Sequence, residues 1–204
     1  MDQPKSTHIT AHNFAISRAR REALMGHRGV TLWFTGLSAS GKTTVATLVD
    51  QILTSRGVHC MILDGDNIRH GLNRDLGFSP EDRAENIRRI GEVAKLFGLA
   101  GIVTLVAFIS PYRKDRDAVR AMHANGDFIE IYLDTPVEVC EARDPRGLYR
   151  KARAGEIADF TGISAPYEPP LKPELVLSTA SETAEESAQR VVAYLDESGY
   201  LNAP

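Results

Sequence analysis

Eight consecutive residues, Gly36-Leu-Ser-Ala-Ser-Gly41-Lys42-Thr43, match the pattern GxxxxGK[ST] in full. With glycine near 7% of residues, a chance match in a chain of this length is on the order of one in a hundred. The flanks sharpen the match. Val30 to Thr35 reads as a buried strand. After the Gly-rich turn, Val45, Ala46, Leu48, Val49, Ile52 and Leu53 recur at helical spacing, with Gly57 placed to stop the helix. Strand, loop and helix in that order are the context the pattern requires. Gly36 and Gly41 let the backbone curl so that successive N–H groups face an anion, and the helix that begins at Lys42 points its positive end at the same spot. Lys42 is placed to reach the β- and γ-phosphates of a nucleotide, and the Thr43 hydroxyl to ligate Mg²⁺.

The rest of the chain repeats the alternation. Val58 to Leu63 is a second apolar run ending at Asp64, Ile102 to Ile109 a third strand, Phe128 to Leu133 a fourth and Leu175 to Leu177 a short fifth. Ser79-Pro80-Glu81-Asp82 is a helix start, with Ser as N-cap, Pro in the first turn and acids at the positive end. Ile87, Ile90, Ala94 and Phe97 continue it on one face, and a last helical stretch runs from about Thr183 to Glu197. This predicts an α/β fold of three layers, a mostly parallel sheet flanked by helices. Residues 1–28 read as a polar, basic, solvated leader with room for one helix, and 29–204 as the domain. The segment from about 144 to 173, rich in Arg, Lys, Gly and Pro, reads as a mobile helical lid followed by a loop.

Composition narrows the function. Lys plus Arg is 24 and Asp plus Glu 27, a formal charge of −3, so nothing attracts the whole chain to nucleic acid or an anionic membrane. Cys60 and Cys140 stand in apolar stretches without a CxxC or Cys/His cluster, which disfavours a disulfide framework or structural zinc. The longest apolar run, Leu99 to Ile109, is far short of the ~20 residues that span a bilayer. The N-terminus has no apolar signal region, so a soluble, cytoplasmic protein is the expectation.

Asp64 and Asp66 close the second strand beside the phosphate loop, where open α/β sheets bind ligands. One suits the metal's water shell, and the other suits an attacking hydroxyl. Three classes compete: a small-molecule kinase, a GTPase-type switch and a nucleotide-binding module without chemistry. The chain lacks the NKxD motif that reads guanine. An acceptor site separates the other two. Arg69, Phe78, Arg83 and Asn86 supply one, with Arg83 and Asn86 three apart on one helix face. Arginine suits oxyanions because its fork donates two parallel hydrogen bonds. Arg88 and Arg89 are open between this site and solvent.

GLSASGKT, DGDNIRHGLNRDLGFS, DRAENIRR, FISPYR and DPRGLYRKARAGEIADFTGISAPYE, in this order, resemble adenylylsulfate kinase, a P-loop kinase family. The resemblance runs from about Ile9 to Pro170 and more weakly beyond. It implies a P-loop NTPase fold and transfer of phosphate from Mg·ATP to the 3′-hydroxyl of adenosine 5′-phosphosulfate (APS), giving PAPS and ADP in sulfate activation. It implies that Gly36, Leu37, Ser38, Ala39, Ser40, Gly41, Lys42, Thr43 and Thr44 bind ATP. Arg143 is open between a nucleotide contact from the lid and a surface residue. Asp66 orients or deprotonates the hydroxyl, while Thr43 and Asp64 serve the Mg²⁺. Arg69, Arg83, Asn86, Ile109, Ser110, Arg146, Lys151 and Thr161 reach APS, and Phe78 and Phe160 sandwich its adenine; for Phe160 a place in the core stays open. Ser110 stands where the family's serine has been regarded as a phosphoserine intermediate. No histidine accompanies it, so direct transfer with Ser110 as a substrate contact is the expectation. The resemblance also implies a homodimer and, as a partner, an ATP sulfurylase, with this chain acting alone or as a detached kinase domain. The chain departs from the pattern at Ala39, where many members have Gly, at Thr43, where most have Ser, and at Arg146, which replaces the Lys of DPKG. The runner-up is a nucleoside-monophosphate type of P-loop kinase, and a catalytically dead sensor ranks third.

Overall fold

The computed structural model describes residues 6–10, 12 and 14–202; the rest of the leader and the last two residues lie outside it. The chain runs α1 (Arg18–Met25), β1 (Val30–Thr35), α2 (Lys42–Ser55), β2 (Cys60–Asp64), α3 (Gly65–Arg69), α4 (Pro80–Leu99) and β3 (Val103–Ala107). It continues through α5 (Arg113–Met122), β4 (Phe128–Leu133), α6 (Val137–Arg143), α7 (Leu148–Arg153), β5 (Leu175–Leu177) and α8 (Ala184–Glu197). The strands form one sheet in the order β2-β3-β1-β4-β5, and every pairing is parallel.

β1 lies at the centre and all six of its residues are buried, as a strand covered on both faces must be. Its side chains alternate between two cores. Val30, Leu32 and Phe34 face a cluster with Val45, Val49 and Leu53 of α2 and Val191, Val192 and Leu195 of α8. Trp33 faces the other side, with Ile87, Ile90 and Ala94 of α4 and Val119 of α5. A third, small cluster under the lid joins Cys140, Tyr149 and Phe160.

Several elements differ from the sequence expectation. β2 begins at Cys60, because the Val58 N–H is taken by Leu53 O in the turn that ends α2. β3 runs only from Val103 to Ala107; Phe108 N–H still donates to Phe34 O of β1 at 3.2 Å, and Ile109 and Ser110 leave the sheet. α3, α5 and α6 were not foreshadowed by periodicity, and the lid carries one helix of six residues, α7, followed by irregular chain. A wholly solvated leader does not describe α1. Its Arg18 pairs with Asp127 and donates to Gly29 O at 2.8 Å, and its buried Glu22 accepts from Gly29 N at 3.0 Å.

Candidate active site

The strand order reverses at β1: the chain goes out to β2, returns to β3, then crosses to β4. Ligands bind outside the carboxyl ends of the strands at such a point. Here a cleft of about 770 Å³ opens there, walled by the phosphate loop, the β2 and β3 ends, α4, the lid and the turn before α8.

The phosphate loop follows β1 directly. Gly36 has φ +150°, and a Cβ there would lie 2.9 Å from Leu133 O, so the loop turns only because the residue is glycine. Ala39 takes φ +59° without that freedom. Lys42, Thr43 and Thr44 line the cleft with Ser38, Ala39 and Gly41. Gly36, Leu37 and Ser40 do not. Leu37 packs into the lid cluster, and Ser40 is fully buried, its carbonyl accepting from Thr179 Oγ1 at 2.8 Å. Lys42 is buried and donates to Gly36 O at 3.0 Å and Leu37 O at 2.6 Å. Burial lowers its pKa to about 8, against a smaller opposing pull from nearby Cys140, Asp64 and Asp66.

Asp64 ends β2 and caps α3. Its Oδ1 accepts from the N–H groups of Asp66 and Asn67, and its Oδ2 accepts from Thr43 Oγ1 at 2.8 Å. A hydroxyl and a carboxylate in contact beside the loop are hard oxygen donors, a set that fits Mg²⁺. Asp66 is exposed to the cleft and paired with Arg146 of the lid.

On the facing wall, Arg69 lies over the Phe78 ring at 4.4 Å and is anchored on Leu76 O and Gly77 O. Arg83 lies 5.7 Å from the same ring and donates to Phe78 O, Asp159 O and Thr161 Oγ1. Phe78 is 65% exposed, a large apolar surface left open between two guanidinium groups. Asn86 lines the cleft from α4, and Ile109 and Ser110 close its floor. Ser110, at φ +40°, is 2% exposed; its Oγ accepts from Trp33 Nε1 at 3.1 Å and donates to Thr35 Oγ1 at 3.0 Å.

Some expected contacts are not assembled. Phe160 is 8% exposed and meets Tyr149 edge-on at 5.0 Å, so it belongs to the lid's own core rather than to an open aromatic sandwich. Lys151 is exposed on α7 and does not line the cleft. Thr161 is buried behind Arg83. Arg88 and Arg89 are engaged by Glu85, and Arg89 also by Asp75, away from the cleft. Arg143 does reach the cleft wall, where it donates to Thr179 Oγ1 at 3.1 Å. Thr179, Glu182, Thr183 and Ala184 complete that wall and were not anticipated. The signal was present: they follow the end of a parallel strand, where ligand loops gather.

Residues 28–178 match the family described as adenylylsulphate kinase. The chain belongs to the adenylylsulphate kinase family. Adenylyl-sulfate kinase of Shewanella amazonensis is 56% identical over 96% of this chain and 99% of its own. Adenylyl-sulfate kinase 1, chloroplastic, of Arabidopsis thaliana is 55% identical over 97% of this chain and 72% of its own. Among solved structures, the Mycobacterium tuberculosis APS kinase in complex with AMPPNP and APS superposes with a TM-score of 0.80 at 52% identity, covering 83% of this chain and 99% of that one. The fold is therefore the P-loop kinase fold of the adenylylsulphate kinase family, and the chain is a kinase. No helix among the described residues is long and apolar enough to cross a membrane.

Proposed function

We propose that this chain phosphorylates the 3′-hydroxyl of APS with ATP, giving PAPS and ADP. The observation that carries the reading is one cleft with two unlike anion walls, the phosphate loop on one side and Arg69, Phe78, Arg83 and Asn86 on the other, with Asp66 between them. The family membership supports it.

Each residue has a task that its surroundings suit. Lys42 and the loop N–H groups hold the ATP phosphates and neutralise charge that builds on the transferred group. Phe78 stacks on the acceptor's base, worth ~1–3 kcal/mol in comparable contacts, while Arg69 and Arg83 hold its anionic end. Asp66 orients the acceptor hydroxyl and takes its proton as the oxygen attacks the γ-phosphorus in line. Arg146 leaves Asp66 for the phosphate charge when both substrates are in place, and Arg143 contacts the ATP side from the lid. Thr43 and Asp64 would hold Mg²⁺, which supplies charge neutralisation across the phosphates.

Ser110 has no part as a nucleophile in this reading. Its Oγ is spent on Trp33 and Thr35, and no base stands among its bonded partners. It shapes the cleft floor. We place the protein in the cytoplasm as a homodimer, in the company of an ATP sulfurylase. A relative from Thiobacillus denitrificans is described as a hexameric APS kinase, and this chain covers 31% of it.

The experiment is a panel of acceptors, APS, AMP and shikimate, with Mg·ATP. ADP release with APS alone is expected. Equal turnover of AMP would move the reading to a nucleoside-monophosphate kinase.

A further inference from the structure

We infer that Asn73 is a positioning residue that fixes the side-chain amide of Asn86, so that Asn86 offers the cleft its NH₂ and not its oxygen. The inference rests on the functional reading above, in which this wall binds the acceptor nucleotide.

Asn73 lies in the connection between α3 and α4 and is fully buried. Its backbone is held on both sides: its N–H donates to Ile68 O and its carbonyl accepts from Leu76 N, each at 3.1 Å. From that fixed backbone the buried side chain reaches α4, where Nδ2 donates to Asn86 Oδ1 at 2.9 Å. The bond is buried, and Asn86 itself is only 5% exposed. With its oxygen engaged behind, Asn86 has Nδ2 left for the cleft that it lines.

Donor and acceptor could in principle trade places, and the burial decides the matter. Asn73 Oδ1 is buried and has no partner among the described residues. In the reverse arrangement Oδ1 would be satisfied but both N–H groups of the buried Asn73 NH₂ would be unmatched, whereas the observed arrangement leaves the oxygen and a single N–H. An amide nitrogen has two hydrogens to place and a buried donor without a partner carries the full desolvation cost, so the observed arrangement is favoured.

The consequence is a wall whose polar side chains, set around the Phe78 ring, all donate. Arg69 and Arg83 offer only N–H groups, and Asn86 is turned to match them. Such a wall selects acceptor atoms, the oxygens of an anion or the unprotonated nitrogens of a base. An Asn86 presenting its carbonyl would set a lone pair against the same atoms. Asn73 touches no ligand in this scheme; it acts through Asn86, and the two should behave as one unit.

The test is a double-mutant cycle on the full chain, read by steady-state kinetics and thermal midpoint. Asn73→Leu is expected to raise KM for APS about tenfold, the scale of one oriented hydrogen bond, with KM for ATP within about twofold and kcat within about threefold. Asn86→Ala is expected to raise KM for APS at least as much. In the double variant the two effects should not add, leaving KM where Asn86→Ala alone puts it. Additive effects, or equal rises in KM for APS and ATP, would overturn the inference, because a merely structural asparagine moves both. Should Asn73→Leu fail to fold, NMR of the wild-type side-chain amides decides: the Asn86 NH₂ signals should shift on adding APS and stay put with an ATP analogue alone, and unmoved signals overturn the inference. Wild-type turnover of APS is measured first. Its absence is a failure of the functional reading, and in that case the ligand-free spectra carry the test. There Asn73→Ser should broaden or double the Asn86 amide signals; unchanged signals would refute the coupling.

Discussion

Lys42 meets two opposed demands. It must be charged to hold phosphate, yet it is buried at the positive end of α2, and burial lowers its pKa to about 8. Below that pH the ligand-free protein keeps the charge by donating to Gly36 O and Leu37 O. Bound phosphates favour the charged form, so above pH 8 ATP binding must take up a proton and its affinity should fall with pH. Calorimetry of an ATP analogue from pH 7 to 9.5 should show that decline in the wild type and a flat, much weaker profile in Lys42→Met. The sign for stability is the reverse. Between about 8 and the unfolded value of 10.5 the unfolded chain binds the extra proton, so this group adds stability as pH rises through that window. Lys42→Ala should also lower kcat by ~10²-fold or more. Ala39 is the other exposed tension in the loop: at φ +59° a Cβ is strained, so Ala39→Gly should relieve part of ~1 kcal/mol and keep activity, read by denaturant midpoint. Lys42 and Thr43 were legible because the motif fixes both their identity and their spacing, and Asp64 because it ends an apolar run that leads to the phosphate loop's side of the sheet. The buried state of Phe160 was not, since a Gly- and Thr-rich neighbourhood looks exposed in sequence and only the fold brings Tyr149 and Cys140 around it.

The elements that were legible are those whose apolar pattern is their own. β1, β4 and β5 fall where their apolar runs do, the N-cap Ser79 marks α4, and α8 starts where its helical stretch was expected, with Thr183 as its cap in the structure. α5 was invisible because the only residues it buries are Arg116 and Val119, one of them charged. Arg116 is 1% exposed, and its guanidinium is met on three sides: Glu130 Oε1 of β4 at 2.7 Å, Ser110 O at 2.6 Å and Glu168 O at 2.7 Å. One side chain thus ties the sheet to the cleft floor and to the chain that returns from the lid. Arg116→Ala should destabilise toward the lower end of ~3–5 kcal/mol, because the buried Glu130 keeps only its longer, half-exposed pairing with Arg120 at 3.3 Å. Adding Glu130→Gln should recover part of that loss in urea denaturation while leaving kcat depressed, since the backbone carbonyls of Ser110 and Glu168 still lack their donor. Full recovery of kcat in the double variant would reduce Arg116 to a stability residue.

At the scale of the molecule, the sheet presents three strand ends to one cleft, and the lid closes the side the sheet leaves open. The lid links to the acceptor wall through Arg83, which reaches Asp159 O and Thr161, and to the β2 end through Arg146 and Asp66. The second link is exposed on both sides, with 56% and 64% of the two side chains open to solvent. An ion pair in that setting contributes little to folding, typically 0–1 kcal/mol, and less in salt. Its position gives it a different value. With ATP and APS in the cleft the negative charge rises, and a mobile guanidinium at the mouth has more to gain from phosphate than from Asp66. Its departure also frees Asp66 for the acceptor hydroxyl. Stability and catalysis should therefore part company in Arg146→Ala. Its thermal midpoint should stay within about 2 °C of the wild type, while kcat falls tenfold or more, the scale of one lost charge contact at the transition state. Arg146→Lys should keep most of the activity, because a point charge still reaches the phosphates though it cannot bridge two oxygens. Unchanged kcat in Arg146→Ala would leave this arginine a surface charge of the lid, and an equal fall in midpoint and kcat would make it a strut rather than a participant.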